Sequence, residues 1–169
     1  MLVSRVIHST IGYDTTSRSV NRGTPQGGVI SPLLWLLVVN DILFKIESMR
    51  IKAVAYADDV VILSSGLFTT TISERIGCAL KVLSNWASNC GLGVNPDKTE
   101  LVLFTRRNKI QPFRPPKLSG KELSLSPEAK YLGVILDSRL NWKRNIEERI
   151  KKSKTAYYMC PSAIVKLRV

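Results

Sequence analysis

A chain of 169 residues with 44% apolar content is the size of one domain and can bury a core, which excludes a disordered or fibrous protein. No apolar run approaches the ~20 residues of a membrane span, and "MLVSRVIHST" at the N-terminus lacks the apolar stretch of a signal peptide, so a soluble intracellular protein is expected, cytoplasmic or nuclear. The net charge of +12 is uneven: residues 1–100 carry nine Lys/Arg against eight Asp/Glu, and residues 101–169 carry sixteen against five, which suits a polyanion partner as readily as a basic solvated surface.

In chain order, residues 6–22 alternate Ile7, Ser9, Ile11 and Tyr13 before a polar "DTTSRS", which predicts a short hairpin. "RGTPQGGVISPLLWLLVVNDILFKI" follows. Ser31 is expected to cap a helix with Pro32 in its first turn, and the helix should run to about Ile46. Its first turns, Leu33 to Val39, are apolar all round and predict packing on several sides. Residues 51–65 read as two strands joined by a tight turn at Ala57 and Asp58. A second helix is predicted by a Thr71/Glu74 capping box, the stripe Ile72, Ile76, Ala79, Leu80, Leu83, Ala87 and Cys90, and a left-handed stop at Gly91.

A turn then leads into an expected strand, Glu100 to Thr105. Residues 106–121 are Pro-rich and basic, with Arg106, Arg107, Lys109, Arg114, Lys117 and Lys121, and read as a loop or linker. "AKYLGVILD" reads as one more strand. Trp142, Ile146, Ile150 and Tyr157 mark an amphipathic helix whose other faces carry Lys143, Arg144, Lys151, Lys152 and Lys154. The expected class is α+β, with helices on one face of an antiparallel sheet. Cys78, Cys90 and Cys160 form no Cys-x-x-Cys pair and His8 is the only histidine, so core thiols are expected rather than zinc ligands.

The chemistry concentrates in "AVAYADDVV", residues 53–61. Two adjacent carboxylates in an apolar strand context cost free energy unless a cation or hydrogen bonds compensate. From mid-strand they would point to opposite faces, but at a hairpin tip both can reach one rim. Carboxylates suit Mg²⁺, which takes one or two of them together with waters and substrate phosphates. Phosphoryl transfer uses such an ion, or two of them ~3.5–4 Å apart. A solvated turn with incidental aspartates is the competing reading for an isolated "ADD". Gly27 and Gly28 ahead of a helix N-terminus add a geometry that favours phosphate.

"RGTPQGGVISPLLW" at 22–35, "YADD" at 56–59, "GVNPDKTELV" at 93–102 and "YLGVILD" at 131–137 resemble, in order, the palm motifs of reverse transcriptases. Their wording is similar to non-LTR retrotransposon polymerases of the jockey and related insect-type groups. A viral RNA-dependent RNA polymerase more typically shows a Gly-Asp-Asp turn.

The resemblance implies Asp58 as a principal metal ligand and Asp59 as the second carboxylate, with Mg²⁺ or Mn²⁺ as cofactor. It implies Tyr56 below the primer end, Gln26 and the Gly27-Gly28 backbone beside the incoming nucleotide and template, and Lys98 near the nucleotide phosphates. Tyr131, Leu132 and Gly133 would form the primer grip, and Lys143, Lys151, Lys152 and Lys154 would track a nucleic-acid backbone. Partners would be an RNA template, a DNA primer, deoxynucleoside triphosphates and the rest of a longer retroelement polyprotein if one exists, with no membrane. The family places a further metal-binding aspartate upstream of the Pro-Gln-Gly loop, after a fingers subdomain; the only upstream acid here is Asp14, in a polar hairpin. The expectation is therefore a fragment, with a partial palm over 1–138 and the start of a helical thumb over 139–169, inactive alone in RNA-directed DNA synthesis. The alternative is a non-catalytic nucleic-acid-binding remnant of a retroelement.

Overall fold

The computed structural model describes residues 5–20, 23–107 and 111–159; Arg22, Lys109 and Cys160, which figure in the expectations above, lie outside them. The elements are β1 (Arg5–Ile11), β2 (Asp14–Val20), α1 (Ser31–Ser48), β3 (Lys52–Tyr56), β4 (Asp59–Leu63), α2 (Thr69–Cys90), β5 (Lys117–Leu118), β6 (Lys121–Glu122), β7 (Glu128–Tyr131), β8 (Val134–Asp137) and α3 (Lys143–Met159). The class is α+β, as expected. Among the described residues, however, the strands form four separate two-stranded pairs rather than one sheet.

The chain divides into two compact units, Met1–Asn95 with Pro112–Lys121, and Pro96–Gln111 with Glu122–Val169. The palm and thumb ranges implied by the resemblance meet at 138/139, inside the second of these.

In the first unit, β1 and β2 form the predicted hairpin, antiparallel from Arg5↔Val20 to Ile11↔Asp14, and it is almost wholly exposed. β3 and β4 pair antiparallel from Lys52↔Leu63 to Tyr56↔Asp59, leaving Ala57 and Asp58 as a two-residue turn where the alternation placed it. On β3, Ala53 is buried whereas Val54 and Tyr56 are exposed, so the helices α1 and α2 cover one face of this pair. The core is built from Val39, Ile42 and Ile46 of α1, Ile51 and Ala53, and Ile76, Ala79, Leu80, Leu83, Trp86 and Ala87 of α2.

The start of α1 corrects two expectations. Ile30 is the N-cap and the Ser31 hydroxyl makes no cap bond; it donates instead to the Pro25 carbonyl at 2.6 Å, tying the preceding loop to the helix. The all-round apolar first turns are not enclosed, since Leu33 is 58% and Leu37 64% exposed. Only the stripe Val39, Ile42, Ile46 meets the core, because one helix can turn only a limited arc toward one strand pair and one neighbouring helix.

The second helix keeps its predicted stripe and stop. Gly91 has φ +70°, and the Leu92 and Gly91 N–H groups donate to the Ala87 and Ser88 carbonyls at 2.8 and 3.0 Å, a Schellman closure. Its start differs: Phe68 is the N-cap without a side-chain bond, and Thr71 and Glu74 lie inside the helix, so the capping box does not form. Cys90 is half-buried, but Cys78 is exposed and is not a core thiol. Arg75 on α2 donates to the carbonyls of Arg50 and, at 3.3 Å, Ser65, fastening the chain ends just before β3 and just after β4.

Residues 112–118 are not a free linker. The Thr69 and Ser73 hydroxyls donate to the Pro112 and Arg114 carbonyls, the first at 3.0 Å, and Pro116 and Leu118 are buried as the segment packs along α2.

In the second unit, the expected strand 100–105 reduces to a bridge between Leu101 and Leu125; of this stretch, Leu101 and Thr105 alone find backbone partners among the described residues, the Thr105 N–H donating to the Ser138 carbonyl. "AKYLGVILD" is not one strand but a hairpin, β7 and β8, turning at Leu132 and Gly133, whose φ values of +47° and +79° fit a type I′ turn. A Gly inside an apolar run is the sign of such a turn, and the alternation on both sides masks it.

Before α3, Asp137 organises the connection. Its carboxylate accepts from the N–H groups of Arg139 (3.0 Å), Asn141 (3.1 and 2.9 Å) and Trp142 (3.2 Å), holding Leu140 and Trp142 at φ +54° and +61°. The Asn141 N–H has the largest influence and, with those of Arg139 and Trp142, holds this carboxyl below its ordinary value although desolvation, second in size, raises it. A carboxyl depressed by folding stabilises above the unfolded carboxylate range, and that contribution is lost as pH falls through the folded value. Asp137→Ala is expected to lower Tm by about 2–4 °C at pH 7, with the difference shrinking below about pH 4; a gap independent of pH in thermal melts would count against this role.

Candidate nucleotidyl-transfer site

The acidic turn is built by β3 and β4. Their antiparallel register ends at Tyr56↔Asp59, so Ala57 and Asp58 form the tip and Asp59 begins the returning strand. Asp58 and Asp59 are both exposed, and Tyr56 is 63% exposed. The desolvation cost expected from the flanking valines therefore does not arise: the valines lie in the strands and the carboxylates at the tip are hydrated. Ala57 has φ +52°, a left-handed value that costs a β-carbon residue free energy and that surrounding contacts must hold.

One of those contacts was not visible in the sequence. The Trp35 indole N–H, from α1, donates to the Ala57 carbonyl at 2.6 Å. An indole in an apolar run signals a polar partner somewhere, but spacing alone could not say which.

The loop before α1 supplies the second cluster. The Gly28 N–H donates to the Pro25 carbonyl at 3.2 Å, and the Ser31 N–H to the Gly28 carbonyl at 3.1 Å. Gly27 sits at φ +80°, where a side chain is strained, and a β-carbon on Gly28 would lie 2.6 Å from the Ser31 hydroxyl and disturb its bond to the Pro25 carbonyl, so both positions favour glycine. Gln26 is exposed at the outside of this loop. Ser31 and Trp35 are four residues apart, about 6 Å along the helix axis. One turn of α1 thus connects the Gln26-Gly27-Gly28 loop to the residue that grips the acidic turn.

The remaining sequence-predicted residues lie in the second unit. Lys98 is exposed at the end of a 3₁₀ turn, Pro96–Lys98. Tyr131, Leu132 and Gly133 end β7 and form the β7–β8 turn, with Leu132 exposed and Tyr131 half-buried. Lys143, Lys151, Lys152 and Lys154 are exposed on α3. Lys152 is already engaged: its ammonium lies 2.9 Å from Glu148, which Lys130 also approaches at 3.9 Å, and the Lys152 hydrogen bond holds the Glu148 carboxyl below its ordinary value. Arg144 pairs with Glu128 at 3.6 Å. Such exposed pairs add little stability but lower the charge that these residues offer to a ligand. The buried Asn145 side chain accepts from the Ile135 N–H at 3.3 Å and anchors α3 to β8.

Among the described residues, no group of three or more His, Cys, Asp or Glu side chains could hold a metal ion, and no helix is long and apolar enough to cross a membrane. A two-carboxylate set is still suited to Mg²⁺, which completes its shell with water and phosphate oxygens.

Comparison with known proteins gives a family for the chain. Residues 2–136 match the family described as "Reverse transcriptase (RNA-dependent DNA polymerase)". The chain is 29% identical over 128 residues to the "Retrovirus-related Pol polyprotein from type-1 retrotransposable element R1" of Bradysia coprophila, covering 75% of this chain and 12% of that protein. It is 25% identical over 171 residues to the "RNA-directed DNA polymerase from mobile element jockey" of Drosophila melanogaster, covering 95% of this chain and 18% of that one. A second R1 polyprotein, from Nasonia vitripennis, is 25% identical over 135 residues, covering 77% of this chain and 40% of that protein. The chain therefore spans less than half the length of these relatives. No solved structure matches significantly.

Proposed function

Because this chain belongs to the reverse transcriptase family, we propose that its β3–β4 tip carries two metal-binding carboxylates of a non-LTR retrotransposon polymerase that copies RNA into DNA. The observation that carries this reading is the two-residue turn, which offers Asp58 and Asp59 to solvent at one tip while the paired strands and Trp35 anchor it. Asp58 and Asp59 would hold Mg²⁺ or Mn²⁺, and bound there the ion would stabilise charge on the attacking and leaving oxygens. Gln26 and the backbone at Gly27 and Gly28 border the incoming deoxynucleoside triphosphate and the template. Tyr56 supports the primer end, and Lys98 stabilises charge on the nucleotide phosphates. Tyr131, Leu132 and Gly133 grip the primer, and Lys143, Lys151, Lys152 and Lys154 follow the backbone of the template–primer. Residues 1–138 act as a partial palm and 139–169 as the start of a thumb, within a longer polyprotein.

A second reading, a nucleic-acid-binding piece without catalysis by itself, is favoured by one observation: only two carboxylates gather at the tip among the described residues. The first reading requires a divalent site, and a weak one, because two ligands rely on water and phosphate to complete coordination. Mn²⁺ titrated into the 169-residue chain is expected to bind weakly, and the Asp58→Asn, Asp59→Asn double variant should lose that binding. Equal binding by the two proteins would remove the metal site. Nucleotide incorporation on a primed RNA template separates the readings: the isolated chain should stay at the level of Asp58→Ala, and activity above that control would favour the complete enzyme.

A further inference from the structure

We infer that Trp35 is a positioning residue: its indole N–H locks the central peptide of the acidic turn and so holds the backbone conformation that carries Asp58. The inference rests on the reading of Asp58 and Asp59 as metal ligands.

A two-residue hairpin turn has two related conformers that differ by rotation of the peptide between its central residues. In type II′ only the first central residue has positive φ; in type I′ both do. Here Ala57 has φ +52° and Asp58 is not in the left-handed region, which is the II′ arrangement. The sequence does not choose it firmly, because II′ favours glycine at the first position and this chain has alanine. Rotating the central peptide to the I′ form would carry Asp58 itself to positive φ, which a β-carbon residue adopts at a cost, and turn its N–H to the opposite side of the turn. The oxygen that would have to move in that rotation is the Ala57 carbonyl, and it is this oxygen that accepts the Trp35 indole N–H at 2.6 Å.

The donor is itself well fixed. Trp35 lies half-buried on α1, between the loop closed by the Ser31–Pro25 bond and the buried Val39, Ile42, Ile46 stripe. A rigid helix thus presents a single donor to the one peptide whose orientation distinguishes the two forms of the turn that carries Asp58. Asp59, already paired with Tyr56 in the strand register, does not depend on this bond to the same degree.

The test compares wild type with Trp35→Phe, which keeps an aromatic ring and removes the donor, in the metal-free 169-residue chain. The expected result is a shift or broadening of the Asp58 and Asp59 amide resonances without metal, together with a loss of Mn²⁺ affinity of about two- to tenfold, the worth of one hydrogen bond. Trp86→Phe, in the buried face of α2, is the control for lost packing: it should lower Tm while leaving those two amides in place. Should Trp35→Phe fail to fold, benzothienylalanine at position 35 keeps the shape and replaces the N–H by sulfur. Unchanged Asp58 and Asp59 amides in either donor-free protein overturn the inference, whatever happens to the metal. Mn²⁺ binding that persists in Asp58→Asn, Asp59→Asn overturns the metal reading instead, and the metal-free amides still decide the role of Trp35.

Discussion

Between 50 and 200 mM salt, the affinity of the 169-residue chain for primer–template nucleic acid is expected to fall by about two to three and a half orders of magnitude, a slope of roughly −3 to −6 in log affinity against log salt. The slope counts phosphates neutralised, about 0.9 each on B-DNA and 0.7 on single strands. The candidate cations are Arg106, Arg107, Arg114, Lys117 and Lys121 in the loop and the β5–β6 region, and Lys143, Lys151, Lys152 and Lys154 along exposed α3. Alanine at Lys151, Lys152 and Lys154 would flatten the slope by up to about three units if all three were free. The Glu148 pair at 2.9 Å makes Lys152 the weakest of them, so about two units are expected. Glu148→Gln should steepen the slope by releasing Lys152, and Asp58→Asn should leave it unchanged. Filter binding across a salt series reads all of these. A slope indifferent to the lysine replacements would assign α3 to solvent and end the thumb reading.

The largest effect on stability is expected at Ile46. Its side chain is fully buried where α1 meets the core, so Ile46→Ala should cost about 2–5 kcal/mol, against a total of about 5–15 kcal/mol for a domain. Leu33→Ala, on the same helix but 58% exposed, should change stability by no more than about 0.5 kcal/mol. Urea unfolding of the two variants tests the assignment of faces on α1. Equal losses would mean that the first turns of α1 are enclosed, as their composition alone implies.

Much of the site was legible because it is local. Alternation on both sides of Ala57 and Asp58 specifies a hairpin, and a two-residue turn there follows from pairing geometry. "PQGGVISP" likewise reads as a loop leading into a helix, since Gly27 and Gly28 suit a positive φ and a close approach next to a helix start. The caps were less legible. Ser31 and Thr71 both have cap chemistry, but a hydroxyl has several acceptors within reach, and Ser31 is satisfied by the Pro25 carbonyl instead.

By itself the sequence determined the α+β class, the hairpin that carries Asp58 and Asp59, the stripe and Gly91 stop of α2, and the motif order that places the chain among reverse transcriptases. Each of these is a matter of short-range periodicity, turn chemistry or residue type, and each needs only neighbours along the chain. The tertiary structure alone decided which arc of α1 is buried, that 112–118 packs along α2, and that "AKYLGVILD" folds back at Leu132 and Gly133. It alone revealed the grip of Trp35 on Ala57 and the Arg75 clamp. Those depend on where a donor on one element meets a distant carbonyl, at separations of up to 25 residues for the Arg75 and Arg50 pair. Periodicity assigns a face to an element but carries no information about what will stand opposite it.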